Sequence, residues 1–147
     1  AAQAQLPVCL MHMQNQPKTM QIEPSYTDVV AEVLAFLEER TTTCTQAGMA
    51  SEQIILDPGF GFAKNIEQNF ELLKKLSVFK LQDLPILVGV SRKSMIYKTL
   101  KTKPEEALNG TTFLNTLALQ NGANILRVHD VKEAKECVEL YKLYKSA

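Results

Sequence analysis

The stretch from Ile54 to Asn65 carries the residues whose types and spacing point most directly to chemistry. Three branched apolar residues predict a short buried strand that ends at Asp57, because Pro58 has no backbone N–H to donate to a sheet. Gly59 and Gly61 keep the following loop bare of side chains, so that a flat ligand could lie against its backbone. The pattern predicts a lone carboxylate at the end of a strand, beside a glycine loop and aromatic rings. The residues also leave open an ordinary Asp-Pro-Gly turn.

Polar side chains follow three further predicted strands in the same way. Parallel strands present their carboxyl ends at one edge of a sheet, where α/β proteins bind their ligands. The side chains delivered to that edge are Met11 and His12 from the first strand, Asp57 from the second, Arg92, Lys93 and Ser94 from the third, and Arg127 and His129 from the fourth. We therefore expect one shared site at this edge.

Arg127 and His129 should project to one face of the fourth strand, since side chains alternate along a strand. Asp130 should cap the next helix, whose N-terminus adds unpaired amides and a positive dipole end. A cation, a histidine and a helix start together favour a phosphate or pyrophosphate. Arg127 could instead form a salt bridge at the sheet edge, and a solvated position is the alternative for Lys93.

The hydrophobic pattern predicts four strand–helix units, and hence an α/β fold with a parallel sheet. The predicted strands run from Leu6 to Met11, Ile54 to Leu56, Leu84 to Val90 and Asn124 to His129. The first three predicted helices run from Asp28 to Ala47, from Ile66 to Leu76 and from Met95 to Leu100. A fourth helical piece begins at Pro104 and is expected to break at Gly110, after which a fifth helix continues to Asn121. The last predicted helix begins at Asp130. We expect buried faces that include Ala47 in the first helix, Ile66 and Phe70 in the second, and Val131 and Tyr144 in the last.

Composition narrows the classes of function. At 147 residues the chain is one domain or a piece of one. Sixteen basic and sixteen acidic residues cancel, which argues against a nucleic-acid or membrane partner. No signal peptide is recognisable at Ala1, and Cys9, Cys44 and Cys137 are expected to be buried free thiols. These features favour a cytoplasmic protein.

Four motifs in the chain resemble consecutive signatures of the bacterial dihydropteroate synthases. They are Leu10 to Gln14, Leu56 to Phe62, Val88 to Ser94 and Arg127 to Asp130, in the order and at the spacing of that family. The resemblance implies a TIM-type (β/α)8 barrel of the pterin-binding kind. It also implies transfer of the dihydropterin-methyl group from its pyrophosphate ester to para-aminobenzoate, with Mg²⁺ assisting and pyrophosphate released. The resemblance also implies that the protein forms a homodimer and that sulfonamides bind it.

The resemblance carries roles over to matching positions. Asp57 and Lys93 would hydrogen-bond the pterin, Met11 and Arg127 would sandwich its ring, and Gly61 would allow its close approach. Phe62 and Ser94 would line the para-aminobenzoate site. Lys93, Arg127 and His129 are the implied catalytic residues, the last two holding pyrophosphate. His12 is expected to be a hydrogen-bonded structural histidine.

The family's motifs for its first four strands have no counterpart here, so we expect residues 1–147 to form a partial pterin-binding barrel domain with strands five to eight. The metal's protein ligand would lie outside these residues. The family usually has a glycine shortly after the position of Gln14, where this chain has Asn15 to Pro17 instead. Two alternatives remain: a non-catalytic half-barrel, and a pterin-binding methyltransferase, which would not need Arg127 and His129 for pyrophosphate.

Overall fold

Strands and helices alternate along the chain, as the sequence predicts. The computed structural model describes residues 1–14, 25–81 and 83–147. Its strands are β1 (Val8–Met11), β2 (Ile54–Asp57), β3 (Leu87–Val88) and β4 (Ile125–Leu126). Its helices are α1 (Val29–Gln46), α2 (Ile66–Lys74), α3 (Ser94–Tyr97), α4 (Leu108–Gln120) and α5 (Val131–Ser146), with short 3-10 segments at Ala2–Ala4, Ser51–Gln53, Leu76–Phe79 and Pro104–Glu106. The run from Asn15 to Pro17 lies outside the described residues.

The strands follow one another across the sheet in chain order. β1 pairs with β2 in a register that places Met11 opposite Asp57, and β3 pairs with β4. A parallel bridge between Leu56 and Ile86 joins the two pairs. All of these pairings are parallel. The predicted α/β fold with a parallel sheet is confirmed, and the carboxyl ends of the strands lie at one edge.

The third and fourth strands are shorter than the sequence predicts. Backbone hydrogen bonds nevertheless extend their pairing, from Asn124 N–H to Ile86 O at 2.9 Å and from Arg127 N–H to Val88 O at 2.9 Å. β4 has a strand neighbour on one side only among the described residues. Regular pairing is therefore lost soon after Leu126, where the polar residues of the edge begin.

The core lies between the sheet and the inner faces of the helices. Its fully buried side chains include Val33, Leu37, Leu72, Phe79 and Ile86. The expectation of buried thiols is right for Cys137 but wrong for Cys9, which is exposed on β1, while Cys44 is half-buried. The described helices include none with the combined length and apolar character needed to cross a membrane.

Several helix faces differ from the sequence expectation. On α2, Phe70 is exposed and Ile66 half-buried, whereas Asn69 is buried. On α5, Ala134 and Cys137 point inward, and the predicted core residues Val131 and Tyr144 are exposed, as is Ala47 after α1. Apolar spacing alone does not tell which of two possible faces meets the sheet.

The predicted break at Gly110 does not occur, because α4 runs through it from Leu108 to Gln120. A Cβ atom at this glycine would collide with the Ile96 side chain of α3. The glycine therefore allows two helices to approach closely, a reason that the sequence of α4 does not show.

Candidate functional site at the carboxyl edge of the sheet

Asp57 ends β2 with one carboxylate oxygen held by the protein and the other facing a cation. The residue is 2% exposed. Its Oδ1 accepts a hydrogen bond from Gly59 N–H at 2.8 Å, and its Oδ2 lies 3.9 Å from Arg127 Nη2. Burial raises the pKa of Asp57, while the Gly59 N–H and the nearby Arg127, Lys93 and Lys64 oppose that rise. The carboxylate is thus a buried acceptor surrounded by positive charge.

Lys93 reaches back from the loop after β3 to the glycine loop after β2. Its Nζ donates to Phe60 O and lies 4.6 Å from the centre of the Phe62 ring. A Cβ atom at Gly61, where φ is +77°, would come within 2.9 Å of Lys93 Cδ. Burial lowers the pKa of Lys93 to about 8; Asp57 opposes that shift and Arg127 adds to it. A glycine at position 61 is required for this approach.

A cleft of about 280 Å³ opens between the ends of β3 and β4. Its lining residues are Gly89, Ser91, Lys93, Arg127, Val128 and His129. A Cβ atom at Gly89 would lie 3.1 Å from Arg127 Nε and Nη2, so this glycine makes room for the guanidinium group. The structure thereby brings Lys93, Arg127 and His129 to one opening.

His129 is oriented by Ser91. The serine Oγ accepts from the His129 backbone N–H at 3.2 Å and lies 2.9 Å from the ring atom Nδ1. With its oxygen accepting from the backbone, the hydroxyl can donate its hydrogen to Nδ1. In that arrangement Nδ1 accepts, and the ring N–H at Nε2 can donate to an anion.

The remaining predicted site residues lie around Asp57 and Lys93. Met11 is opposite Asp57 in the register of β1 and β2. Phe62 faces the Lys93 ammonium, and Ser94 is the first residue of α3. His12 is buried, and its Nδ1 lies 3.0 Å from Lys64 Nζ, which agrees with a hydrogen-bonded structural histidine.

Arg92 and Asp130 join two loops. Arg92 Nε and Nη2 donate to the two carboxylate oxygens of Asp130 at 3.0 and 2.6 Å, and Arg92 Nη1 donates to Glu105 O at 3.2 Å. The prediction that Asp130 caps α5 is wrong for its side chain, which makes no capping hydrogen bond. The Asp130 carboxylate instead pairs with the Arg92 guanidinium, which lowers the pKa of Asp130. The ion pair between Arg92 and Asp130 thus fixes the loops that carry Lys93 and His129.

Three residues near the site were not singled out from the sequence: Lys64, Asn69 and Ser91. Lys64 is only 8% exposed and Asn69 only 1%. The Asn69 Oδ1 accepts from Gly61 N–H at 2.7 Å and so fixes the glycine loop. A lysine inside an apolar, glycine-containing loop is the one local signal that could have drawn attention to position 64.

The described residues do not fit a resident Mg²⁺ ion. No group of three or more His, Cys, Asp or Glu side chains in the described part of the chain could hold a metal ion. Asp57, the carboxylate of this site, already has three cationic side chains around it. Hard divalent cations need several oxygen ligands, which this set does not offer.

Comparison with known proteins decides the family. The family described as pterin binding enzyme matches residues 1–129. The chain belongs to the pterin binding enzyme family.

Within that family the similarity is to dihydropteroate synthases. The curated protein of that name from Escherichia coli strain K12 is 50% identical over 147 residues, which is all of this chain and 52% of the relative. The Yersinia pestis dihydropteroate synthase solved with a sulfonamide drug complex has a TM-score of 0.95 at 44% identity, covering 99% of this chain and 53% of that one. The Xanthomonas albilineans enzyme in complex with 7,8-dihydropteroate has a TM-score of 0.90 at 37% identity, covering 99% and 53%. The chain therefore spans about half the length of these pterin binding enzymes.

Proposed function

We propose that this chain carries part of the active site of a dihydropteroate synthase. The observation that supports this most strongly is the cleft between β3 and β4, which Lys93, Arg127 and His129 line and where Arg127 Nη2 lies 3.9 Å from Asp57 Oδ2. A synthase needs an acceptor for the pterin's N–H groups and cations for a leaving pyrophosphate, and this edge offers both. The relatives named dihydropteroate synthase match across the whole chain.

The pterin would lie against the glycine loop. Asp57 Oδ2 would accept from its 2-amino and ring N–H groups, since an ionised carboxylate only accepts hydrogen bonds. Lys93 would donate to its carbonyl oxygen and a ring nitrogen. The flat guanidinium of Arg127 and the Met11 side chain would enclose the ring, and Gly61 would let the ring approach the backbone.

The reaction would join the amine nitrogen of para-aminobenzoate to the methylene carbon of the pterin. The carbon–oxygen bond to pyrophosphate breaks, the amine loses a proton, and pyrophosphate takes the electron pair. Arg127 and His129, fixed beside that leaving group, stabilise the charge that builds on it in the transition state. Phe62 and Ser94 would bind para-aminobenzoate, and by analogy sulfonamides, next to the pterin. No step is assigned to Mg²⁺, which groups outside this chain would have to hold.

The proposal includes the architecture: residues 1–147 would supply strands five to eight of a (β/α)8 barrel. It is supported by a groove of about 870 Å³ between the edge of β4 and α5, with Leu126, Val128 and Val138 among its lining residues. Such an apolar groove beside a strand edge suits a further strand–helix unit.

We further propose a cytoplasmic homodimer. Phe113 on α4 and Leu140, Leu143 and Tyr144 on α5 are between 62% and 73% exposed. A second groove, of about 940 Å³, runs between the same two helices. Leu140 and Tyr144 line this groove, and apolar side chains exposed beside a groove favour a protein contact.

Product analysis tests the proposed reaction. The chain is joined to the upstream half of the Escherichia coli relative, giving what we call the completed enzyme. It is incubated with dihydropterin pyrophosphate and para-aminobenzoate, and mass spectrometry should detect dihydropteroate together with pyrophosphate. Lys93→Met should weaken pterin binding roughly 10-fold or more, because it removes a buried donor. Lys98→Met, which removes an exposed ammonium after α3, is the matched control.

The methyltransferase alternative predicts a different outcome. The completed enzyme would then bind a pterin, yet form no dihydropteroate and release no pyrophosphate. Methyl transfer from a methylated pterin would be found instead. That result would overturn the proposed synthase activity while leaving the family assignment intact.

A further inference from the structure

We propose that Lys64 is a positioning residue that holds the loop from Gly59 to Phe62 in the conformation needed by the pterin site. This role rests on the proposed function, because the loop matters to the reaction only if the pterin lies against it. Lys64 itself would not touch the pterin.

All three hydrogens of the Lys64 ammonium are used within the protein. Its Nζ lies 3.0 Å from each of three acceptors: Gly59 O, Phe62 O and His12 Nδ1. The side chain is 8% exposed, so water is largely excluded from this cluster. An ammonium whose donors are all committed in a buried place fixes the groups that it contacts.

The groups that Lys64 fixes are connected to the two residues that would recognise the pterin. Gly59 is held on both sides, since its N–H donates to Asp57 Oδ1 at 2.8 Å and its C=O accepts from Lys64. In the same loop, Phe60 O accepts from Lys93 Nζ. A shift of this loop would therefore move the partners of both Asp57 and Lys93.

The charge on Lys64 is sensitive to pH near neutrality. Burial lowers its pKa to about 7; Asp57 on β2 opposes this shift, and Lys93 after β3 adds to it. His12, after β1, has a pKa lowered to about 4 by burial, so it is a neutral acceptor here. The Tyr26 ring lies 6.0 Å from Lys64 Nζ, and burial raises the pKa of its hydroxyl to about 12. As the pH rises through about 7, Lys64 loses one of its three donors and its hold on the loop weakens.

Calorimetry on the completed enzyme tests this role with 6-hydroxymethyl-7,8-dihydropterin, which carries no phosphate. Affinity is measured for the wild type and for Lys64→Met from about pH 6 to about pH 9. At the acid end the variant should bind roughly 10-fold more weakly. The difference should narrow as the pH rises, because wild-type Lys64 is then already neutral. Lys93 titrates in both proteins, so the test compares the two pH profiles with each other and does not read either profile alone.

The matched control is Lys74→Met, which removes an exposed ammonium at the end of α2 and should match the wild type at every pH. Two outcomes would overturn the role of Lys64: equal affinity for wild type and Lys64→Met at about pH 6, or a difference that stays constant with pH. A constant difference would show that the effect of position 64 on binding does not depend on the charge of the ammonium.

A measurement on the unsubstituted protein covers the case in which Lys64→Met does not fold. Nuclear magnetic resonance follows the Lys64 Cε signal and the hydrogen exchange of the Gly61 amide over the same pH range. Exchange, corrected for its intrinsic pH dependence, should quicken as Lys64 deprotonates, and constant protection would contradict the role. If the wild type binds no pterin, the proposed function fails, while this exchange measurement still decides whether Lys64 holds the loop.

Discussion

At the scale of single residues, the two carboxylate oxygens of Asp57 have different surroundings. Oδ1 accepts from Gly59 N–H, while Oδ2 lies 3.9 Å from Arg127 Nη2, beyond hydrogen-bonding distance. In the described part of the chain Asp57 Oδ2 accepts no hydrogen bond, and the N–H groups of a pterin would be donors for it. The charge of Asp57, rather than its shape alone, should therefore decide affinity.

Asp57→Asn should weaken pterin binding by the completed enzyme. The amide turns an acceptor into a donor that faces the donors of the pterin, a buried mismatch that costs about 1–3 kcal/mol, or roughly 5- to 150-fold in affinity. Wild-type affinity should fall as the pH drops through the raised pKa of Asp57, and the variant should lack this dependence. Calorimetry showing unchanged affinity would remove Asp57 from the pterin site.

His129 and Arg127 should differ in what they recognise. His129→Ala should weaken pyrophosphate binding roughly 10-fold or more while sparing a pterin without phosphates, because the ring would contact only the anion. Arg127→Ala should weaken both ligands, since its guanidinium would also cover the pterin ring. Binding titrations with the two ligands separate these roles. Equal losses for both ligands in the His129 variant would indicate a structural histidine.

At the scale of the elements, features set by neighbouring residues were predictable from the sequence. Asn65 caps α2, and Gln68 completes the capping box with hydrogen bonds of 2.8 and 2.9 Å. Gly48 follows α1 at φ +86°, as expected of a glycine beyond a helix end. These signals lie within a few residues of the structures that they specify.

Features set by distant residues were not predictable in the same way. The Asp130 side chain does not cap α5, because its carboxylate accepts from Arg92, 38 positions earlier. Lys64 was passed over because its acceptor His12 lies 52 positions away. Much of the candidate site was still predictable, since Asp57, Lys93, Arg127 and His129 all follow strands, and parallel strands end at one edge. The residues that hold these side chains in place could be identified only from the way in which different elements pack together.

The crossing of α3 and α4 gives a prediction about stability. Gly110→Ala should lower the free energy of unfolding by about 1–2 kcal/mol, because the added methyl group meets Ile96. This exceeds the gain of up to about 1 kcal/mol that alanine brings to a helix interior. Urea unfolding measures the change. Asn109→Ala, on an exposed position of the same turn, should leave stability unchanged or slightly higher, and a stabilising Gly110→Ala would contradict the close packing.

At the scale of the whole molecule, the four parallel strands that the described residues form lie in chain order, with β1 and β4 outermost. Cys9 on β1 is exposed, and the groove beside β4 is lined largely by apolar side chains. Open parallel edges of this kind tend to pair with further strands. The proposed half-barrel accounts for both features, and for a match to only about half of each relative.

Pyrophosphate release tests the central claim most directly, with the isolated 147-residue chain assayed beside the completed enzyme. The isolated chain should release no measurable pyrophosphate, because it offers Asp57, Lys93, Arg127 and His129 without the other half of the barrel. The completed enzyme should release pyrophosphate only when para-aminobenzoate is present. Sedimentation of the same samples gives the oligomeric state. Normal turnover by an isolated chain that sediments as a compact monomer would contradict the half-barrel account.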